Sequence, residues 1–192
     1  RQILATFSPL ELAAKNRETV LRNAYNKASR QTRRGMEDDS KAFVISADQH
    51  DPLTMMKMVN KLLLQGITVE RTDTGFTHEG RVYDAGSYVV SMAQPKRGLI
   101  RWLLGQTYYP DNSYTRDRDG DPIRPYDMSG DVIAEFMGVK VDPVETAIKA
   151  PLMIVDELIE PRGAVAQGQN GYVIDGALND AFTAVNLLFD AG

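Results

Sequence analysis

Lys41-Ala42-Phe43-Val44-Ile45-Ser46-Ala47-Asp48-Gln49-His50-Asp51-Pro52 opens the stretch from which the fold is read. Ala42-Phe43-Val44-Ile45 is an apolar run between polar residues and reads as a buried strand. Asp48-Gln49-His50-Asp51 is the turn that follows. Asp51-Pro52 marks a helix start, because a short acid caps orphan amides and proline suits the first helical position. Met55, Met56, Val59, Leu62 and Leu63 recur at helical spacing, so one face of that helix is buried. Gly66 stands where a left-handed terminator belongs, and Ile67-Thr68-Val69 reads as the next strand. Strand, helix and strand within about thirty residues is the unit of a parallel sheet.

The flanking sequence extends that pattern. Ser8-Pro9-Leu10-Glu11 has the form of a capping box and predicts one or two helices from Pro9 to about Arg30. Arg30, Arg33 and Arg34 then read as a solvated helix end, with a phosphate or anion site as the alternative. Residues 72–82, with Phe76 and Tyr83 as isolated aromatics, suggest a hairpin or an excursion beside the sheet, and Ser87-Tyr88-Val89-Val90-Ser91-Met92 a third strand. Pro95 begins a helix whose buried side is Leu99, Ile100, Trp102, Leu103 and Leu104. A long polar loop from Tyr108 to Tyr126 follows. Val132, Ile133, Phe136 and Met137 predict a short helix ended by Gly138, and Val139 and Val141 a short strand. Residues 142–169 fit neither period. Gly171-Tyr172-Val173-Ile174 predicts a last strand, and Leu178, Ala181, Phe182, Val185, Leu188 and Phe189 the buried face of a last helix. No internal repeat or low-complexity segment stands out.

Alternating strands and helices predict a three-layer α/β/α sandwich with a mainly parallel sheet. Residues 1–37 read as an N-terminal helical segment connecting to an upstream domain, and 38–192 as a single α/β domain. Ligands in such folds sit beyond the carboxyl ends of the strands, which singles out residues 48–51.

Composition narrows the function. The 192 residues are 43% apolar, include eight tyrosines and carry a net charge near −4. That fits a folded globular chain and disfavours a nucleic-acid partner, which calls for a basic face. No apolar run approaches the roughly 20 residues of a membrane span. With no cysteine, disulfides, thiolate metal sites and a cysteine nucleophile are excluded. The chain starts without methionine and ends on Ala191-Gly192, compatible with a fragment or a processed product.

Asp48, Gln49, His50 and Asp51 form the most site-like cluster. Histidine near neutrality can serve as a base or a metal ligand, yet two acids and one histidine in a turn are better read as helix-start and loop devices. His78-Glu79 has no companion at metal spacing. Asp117-Arg118-Asp119-Gly120-Asp121 evokes a calcium loop, but no acidic start puts Gly120 at the sixth position of an EF-hand. It reads as a solvated acidic loop. Ser46, Ser91 and Ser129 lie outside any nucleophile elbow. Gly163, Gly168 and Gly171 do not form a dinucleotide fingerprint. Tyr108, Tyr109 and Tyr126 offer a stacking surface for sugar or peptide, or seal the loop to the core. The site candidates are therefore ligand-binding Asp48, Gln49, His50, Tyr108, Tyr109 and Tyr126, with no catalytic or metal-ligating residue.

Several segments carry a resemblance. They are Phe43-Val44-Ile45 with Ala47-Asp48-Gln49 and Asp51-Pro52, Val59-Asn60-Lys61-Leu62-Leu63, and Gly66-Ile67-Thr68-Val69. Ala85-Gly86-Ser87-Tyr88-Val89-Val90, Gln94-Pro95, Tyr109-Pro110 and Arg124-Pro125-Tyr126-Asp127 continue it. So do Met137-Gly138-Val139, Tyr172-Val173-Ile174-Asp175 and Ala181-Phe182-Thr183-Ala184-Val185-Asn186. Together they resemble the region after the catalytic domain in long bacterial zinc carboxypeptidase-like proteins. The resemblance implies an upstream peptidase domain as partner, zinc only in that domain, and a periplasmic or extracellular parent protein. It also implies a class I glutamine amidotransferase-like, flavodoxin-like fold. The peptidase's zinc motif does not occur here, and the amidotransferase nucleophile would be a cysteine, so no catalytic residue carries over. Three functions remain: a non-catalytic accessory domain for stability, substrate positioning or assembly; a sugar- or peptide-binding module, with a homo-oligomer compatible with either; and a divergent hydrolase using Asp48, His50 or Ser129.

Overall fold

The computed structural model describes residues 2–106, 110–123, 132–165, 168 and 171–191. Two helices come first, α1 (Gln2–Lys15) and α2 (Arg17–Glu37). The first starts at Gln2, ahead of the expected Ser8 cap, and runs through Pro9. An internal proline forfeits one bond to the carbonyl four residues back, and the helix continues past that single loss. Asn16 leaves helical geometry, with φ −110° and ψ 28°, and separates the two helices. Its side-chain amide donates back to the Leu12 carbonyl at 2.9 Å.

β1 (Ala42–Ile45), α3 (Pro52–Leu64) and β2 (Glu70–Arg71) follow. Then come the hairpin of β3 (Phe76–His78) and β4 (Arg81–Tyr83), β5 (Tyr88–Ser91), α4 (Arg97–Leu104) and α5 (Ile133–Met137). β6 (Val141–Val144), β7 (Met153–Ile154) and α6 (Asp180–Asp190) complete the order. The helix signals at α3 act as read. The Asp51 carboxylate accepts from the Thr54 backbone N–H at 3.0 Å, and Gly66 takes φ +71° at the exit.

The expected parallel sandwich is not what these elements build. The five-stranded sheet has the order β6-β1-β5-β2-β7, and every neighbouring pair is antiparallel. β1 and β2 do run the same way, since each is antiparallel to β5, but β5 lies between them. With their helical connections, β1, β2, β5 and β6 form a split β-α-β arrangement. The mainly parallel, flavodoxin-like and glutamine amidotransferase-like expectations are therefore corrected to a mixed α/β fold with an antiparallel sheet and a small second sheet.

The third layer is corrected too. On one face Phe43, Ile45, Tyr88 and Val90 pack against Met58, Val59 and Leu62 of α3, Ile100 and Leu104 of α4, and Ala134 of α5. On the other, Ala42, Val44, Val89 and Val144 are covered by Tyr83 and Phe76 of the hairpin and by Ile148 and Leu152. The Phe76 and Tyr83 rings stack with centroids 5.0 Å apart. A hairpin and a loop thus do the work of a second helix layer. This explains the misreading: unbroken apolar runs arise when both faces of a strand are covered, and here antiparallel strands are covered twice.

The hairpin turns on Glu79 (φ +47°) and Gly80 (φ +76°), the double left-handed turn that favours Asn-Gly. Glu79 is strained there, and its carboxylate compensates by accepting from Glu145 N, Thr146 N and the Thr146 hydroxyl at 2.7–2.9 Å. The hairpin is thereby tied to the chain leaving β6. Gln94 ties β5 to the β2 approach: its amide donates to the carbonyls of Thr68 and Ser91 and accepts from Thr68 N. At the other end of the chain, the strand expected at 171–174 pairs with nothing among the described residues. Of the apolar face expected on α6, only Ala181 is buried.

Candidate functional site

The loop after β1 is engaged in holding the fold. Gln49 donates its amide to the carbonyls of Ser46 (2.8 Å) and Lys140 (2.9 Å) and accepts from Lys140 N (2.8 Å). It thereby extends the β1–β6 pairing by one side-chain rung. Asp48 is exposed and faces Lys140 Nζ at 3.4 Å. His50 is exposed, with no bonding partner among the described residues. Gln49→Ala should therefore cost about 1–2 kcal/mol in a urea melt, while His50→Ala should stay within about 0.5 kcal/mol of the parent.

Asp51 is the most committed of the four, and it is buried. Its carboxylate accepts from Thr54 N (3.0 Å), the Thr54 hydroxyl (2.7 Å), Asn179 N (2.9 Å) and Asn179 Nδ2 (3.0 Å). One acid thus caps α3 and anchors the start of α6. Burial pushes its pKa up, but the bonds from Asn179, Thr54 and Leu53 outweigh that and hold it at about 2.

The remaining candidates divide in the same way. His78 Nε2 lies 3.1 Å from the Thr146 hydroxyl, but that hydroxyl already donates to Glu79. Its proton is therefore not offered to the imidazole, as a nucleophile–base pair would require. Asp117 accepts from the N–H groups of Asp119 and Asp121, and Arg116 pairs with Asp111 through two nitrogens at 2.6 and 2.8 Å. The acidic loop is folded on its own backbone. Ser46 accepts from Asp48 N, and Ser91 from Ala93 N. Arg30, Arg33 and Arg34 lie on α2 and are all exposed. No group of three His, Asp or Glu side chains is placed to hold a metal among the described residues. Tyr108, Tyr109, Tyr126 and Ser129 lie outside the described residues.

A cavity does open at the predicted end of the sheet, though not on the predicted loop. A groove of about 680 Å³ is lined by Met56, Arg71, Tyr88, Ile154, Ile159 and Arg162, among others. Arg71 closes β2, Tyr88 opens β5 opposite it, and Met56 comes from the first half of α3. Arg71 pairs with Asp73 at 3.1 Å; Arg162 has no pairing side chain among the described residues. Burial pushes the Tyr88 phenol up, against the pull of the Arg71 charge. β7 beside the groove is an outer strand of the sheet. Guanidinium groups, a phenol and apolar walls can hold a carboxylate-bearing ligand, with the Glu160 carboxylate also on the wall. Sequence reasoning missed this groove because its residues meet only through the β2–β5 and β2–β7 pairings.

No helix among the described residues is long and apolar enough to cross a membrane. Compared with family models, curated proteins and solved structures, the chain matches none.

Proposed function

We propose that this chain is a non-catalytic accessory domain of a zinc carboxypeptidase-like protein, serving stability, substrate positioning or assembly. The observation that supports this reading is the use of its reactive side chains. Gln49, Asp51, Glu79 and Asp117 are each bonded to backbone groups, and His50 has no bonding partner among the described residues. Ile3, Leu4, Phe7, Leu10 and Leu12 of α1 are exposed, a concentration of apolar surface suited to assembly. The peptidase parentage rests on the sequence resemblance alone. Incubated with zinc and peptides of varied carboxyl-terminal residue, the pure chain should release no amino acid. Zinc-dependent turnover by the pure chain would overturn the reading.

The groove at Arg71, Tyr88 and Arg162 favours a second reading, a peptide- or sugar-binding module. Calorimetric titration with short peptides and with oligosaccharides separates the two. Saturable binding that Arg162→Glu abolishes supports the module; no heat with either ligand leaves the accessory role as the reading.

A further inference from the structure

A second cavity, of about 560 Å³, opens beside the connection that leads from α2 into β1. Asp38 and Asp39 of that connection form one wall, and Arg101 and Trp102 of α4 form another. Phe43 and Met92, both buried, make an apolar floor with Pro143, which stands opposite Phe43 across the β1–β6 rung. The volume lies within the range of small-molecule sites. Trp102, expected on the buried side of its helix, is instead 57% exposed.

The charges on these walls are arranged in two ways. Arg97 and Arg101 are one turn apart on α4 and therefore share a face, while Asp38 and Asp39 are neighbours in sequence. Arg97 and Asp38 close into an ion pair at 2.5 Å. Arg101 and Asp39 do not. Both are exposed, both line the cavity, and neither side chain has an ion-pair or hydrogen-bond partner among the described residues. Two unlike charges thus border one cavity without neutralising each other.

That arrangement selects among ligands. A simple anion drawn to Arg101 meets the charge of Asp39, and a simple cation drawn to Asp39 meets that of Arg101. Like charges brought together carry a penalty. A molecule bearing both signs satisfies both walls. The floor adds a second condition, because hydroxyl groups set against Phe43 and Met92 would lose water without gaining a partner. An apolar side chain suits it.

We infer that this cavity binds a small zwitterion with an apolar side chain, an α-amino acid or a dipeptide. Arg101 takes the carboxylate through its paired N–H donors, Asp39 takes the ammonium group, and the side chain lies over Phe43 and Met92 beside the Trp102 ring. The site is separate from the groove at Arg71 and does not depend on a peptidase neighbour.

Trp102 is the only tryptophan of the chain, so its emission reports on this cavity and not on the groove. The test titrates the 192-residue protein with phenylalanine and with phenylalanyl-leucine, read by tryptophan fluorescence and by calorimetry. At least one of the two should shift the emission and saturate with a Kd of about 1 mM or tighter; which one does so separates an amino acid from a dipeptide. N-acetylphenylalanine, which keeps only the negative charge, and phenylalanine amide, which keeps only the positive one, should each bind about tenfold more weakly or worse. Arg101→Gln and Asp39→Asn should each weaken the zwitterion about tenfold or more, while Arg162→Glu, in the groove, should leave it unchanged. Both substituted side chains are exposed, so an unchanged Tm certifies the fold. No emission change with either zwitterion overturns the inference. So does equal binding of the blocked forms, or binding indifferent to both cavity variants. Glucose that saturates the same emission change more tightly than either zwitterion also overturns it, because the cavity would then be a sugar site.

Discussion

Gly35→Ala should destabilise the protein by about 3 kcal/mol, although helix propensity alone argues the other way. Gly35 lies near the end of α2 and is the one buried residue of that helix. A methyl group there would stand 1.8 Å from the Met92 carbonyl oxygen, 2.4 Å from its carbon and 2.8 Å from Ala93 N. All three are backbone atoms just past β5, and no rotamer change relieves them. Alanine in place of glycine would otherwise favour a helix interior by about 1 kcal/mol. The clash wins because α2 must retreat from the sheet by more than an ångström. That retreat also pulls on the ion pair between Arg97 of α4 and Asp38, whose side chains are 16% and 14% exposed. Gly98→Ala in α4 is the control, since nothing lies within 4 Å of its added carbon; it should be neutral or stabilising by about 0.5–1 kcal/mol. Urea melts of the two variants decide the matter. A Gly35→Ala protein as stable as its parent would mean that α2 does not rest on β5.

What the sequence makes legible here is local. The Asp51-Pro52 start, the Met55-to-Leu63 face and the Gly66 stop of α3 each rest on interactions within a few residues, and each appears where the pattern puts it. Strand order does not share that property. Ala42-Phe43-Val44-Ile45 and Tyr88-Val89-Val90 would read the same in a parallel or an antiparallel sheet, because the hairpin and residues 148–152 cover the face that a second helix layer would cover. The insertion of β5 between β1 and β2 is decided by long-range pairing. The groove depends on the same pairing, since Arg71 meets Tyr88 only across the β2–β5 rung. The apolar stripe of α6 was legible as a pattern, yet a pattern records what a face suits and not whether this chain supplies its cover. Asp51 lies between these cases: the cap to Thr54 is local, whereas Asn179 joins it from 128 residues away.

Asp51→Ala should then cost more than a helix cap. A lost cap is worth about 1 kcal/mol, and the charged acceptor of the Asn179 bonds adds about 1.5–3 kcal/mol, so a loss of about 3 kcal/mol is expected. The acid dependence identifies the carboxylate as the cause. Its folded pKa, about 2, lies below the ordinary value of 3.8, so folding favours the ionised form. The linked stability, about 2 kcal/mol, is fully present above pH 4 and is lost as pH falls from about 4 to 2. Other carboxylates, Glu79 and Asp111 among them, are also held low, so total acid lability is not diagnostic. The difference between parent and variant is: it should be constant from pH 5 to 7 and shrink by about 2 kcal/mol on descent to pH 2. Hydrogen exchange at neutral pH should show α6 loosened in the variant before the sheet, because Asn179 loses its acceptor while the core under α3 stays intact. A parent-to-variant difference that holds steady down to pH 2 would assign the stabilisation to packing around residue 51 and not to its charge.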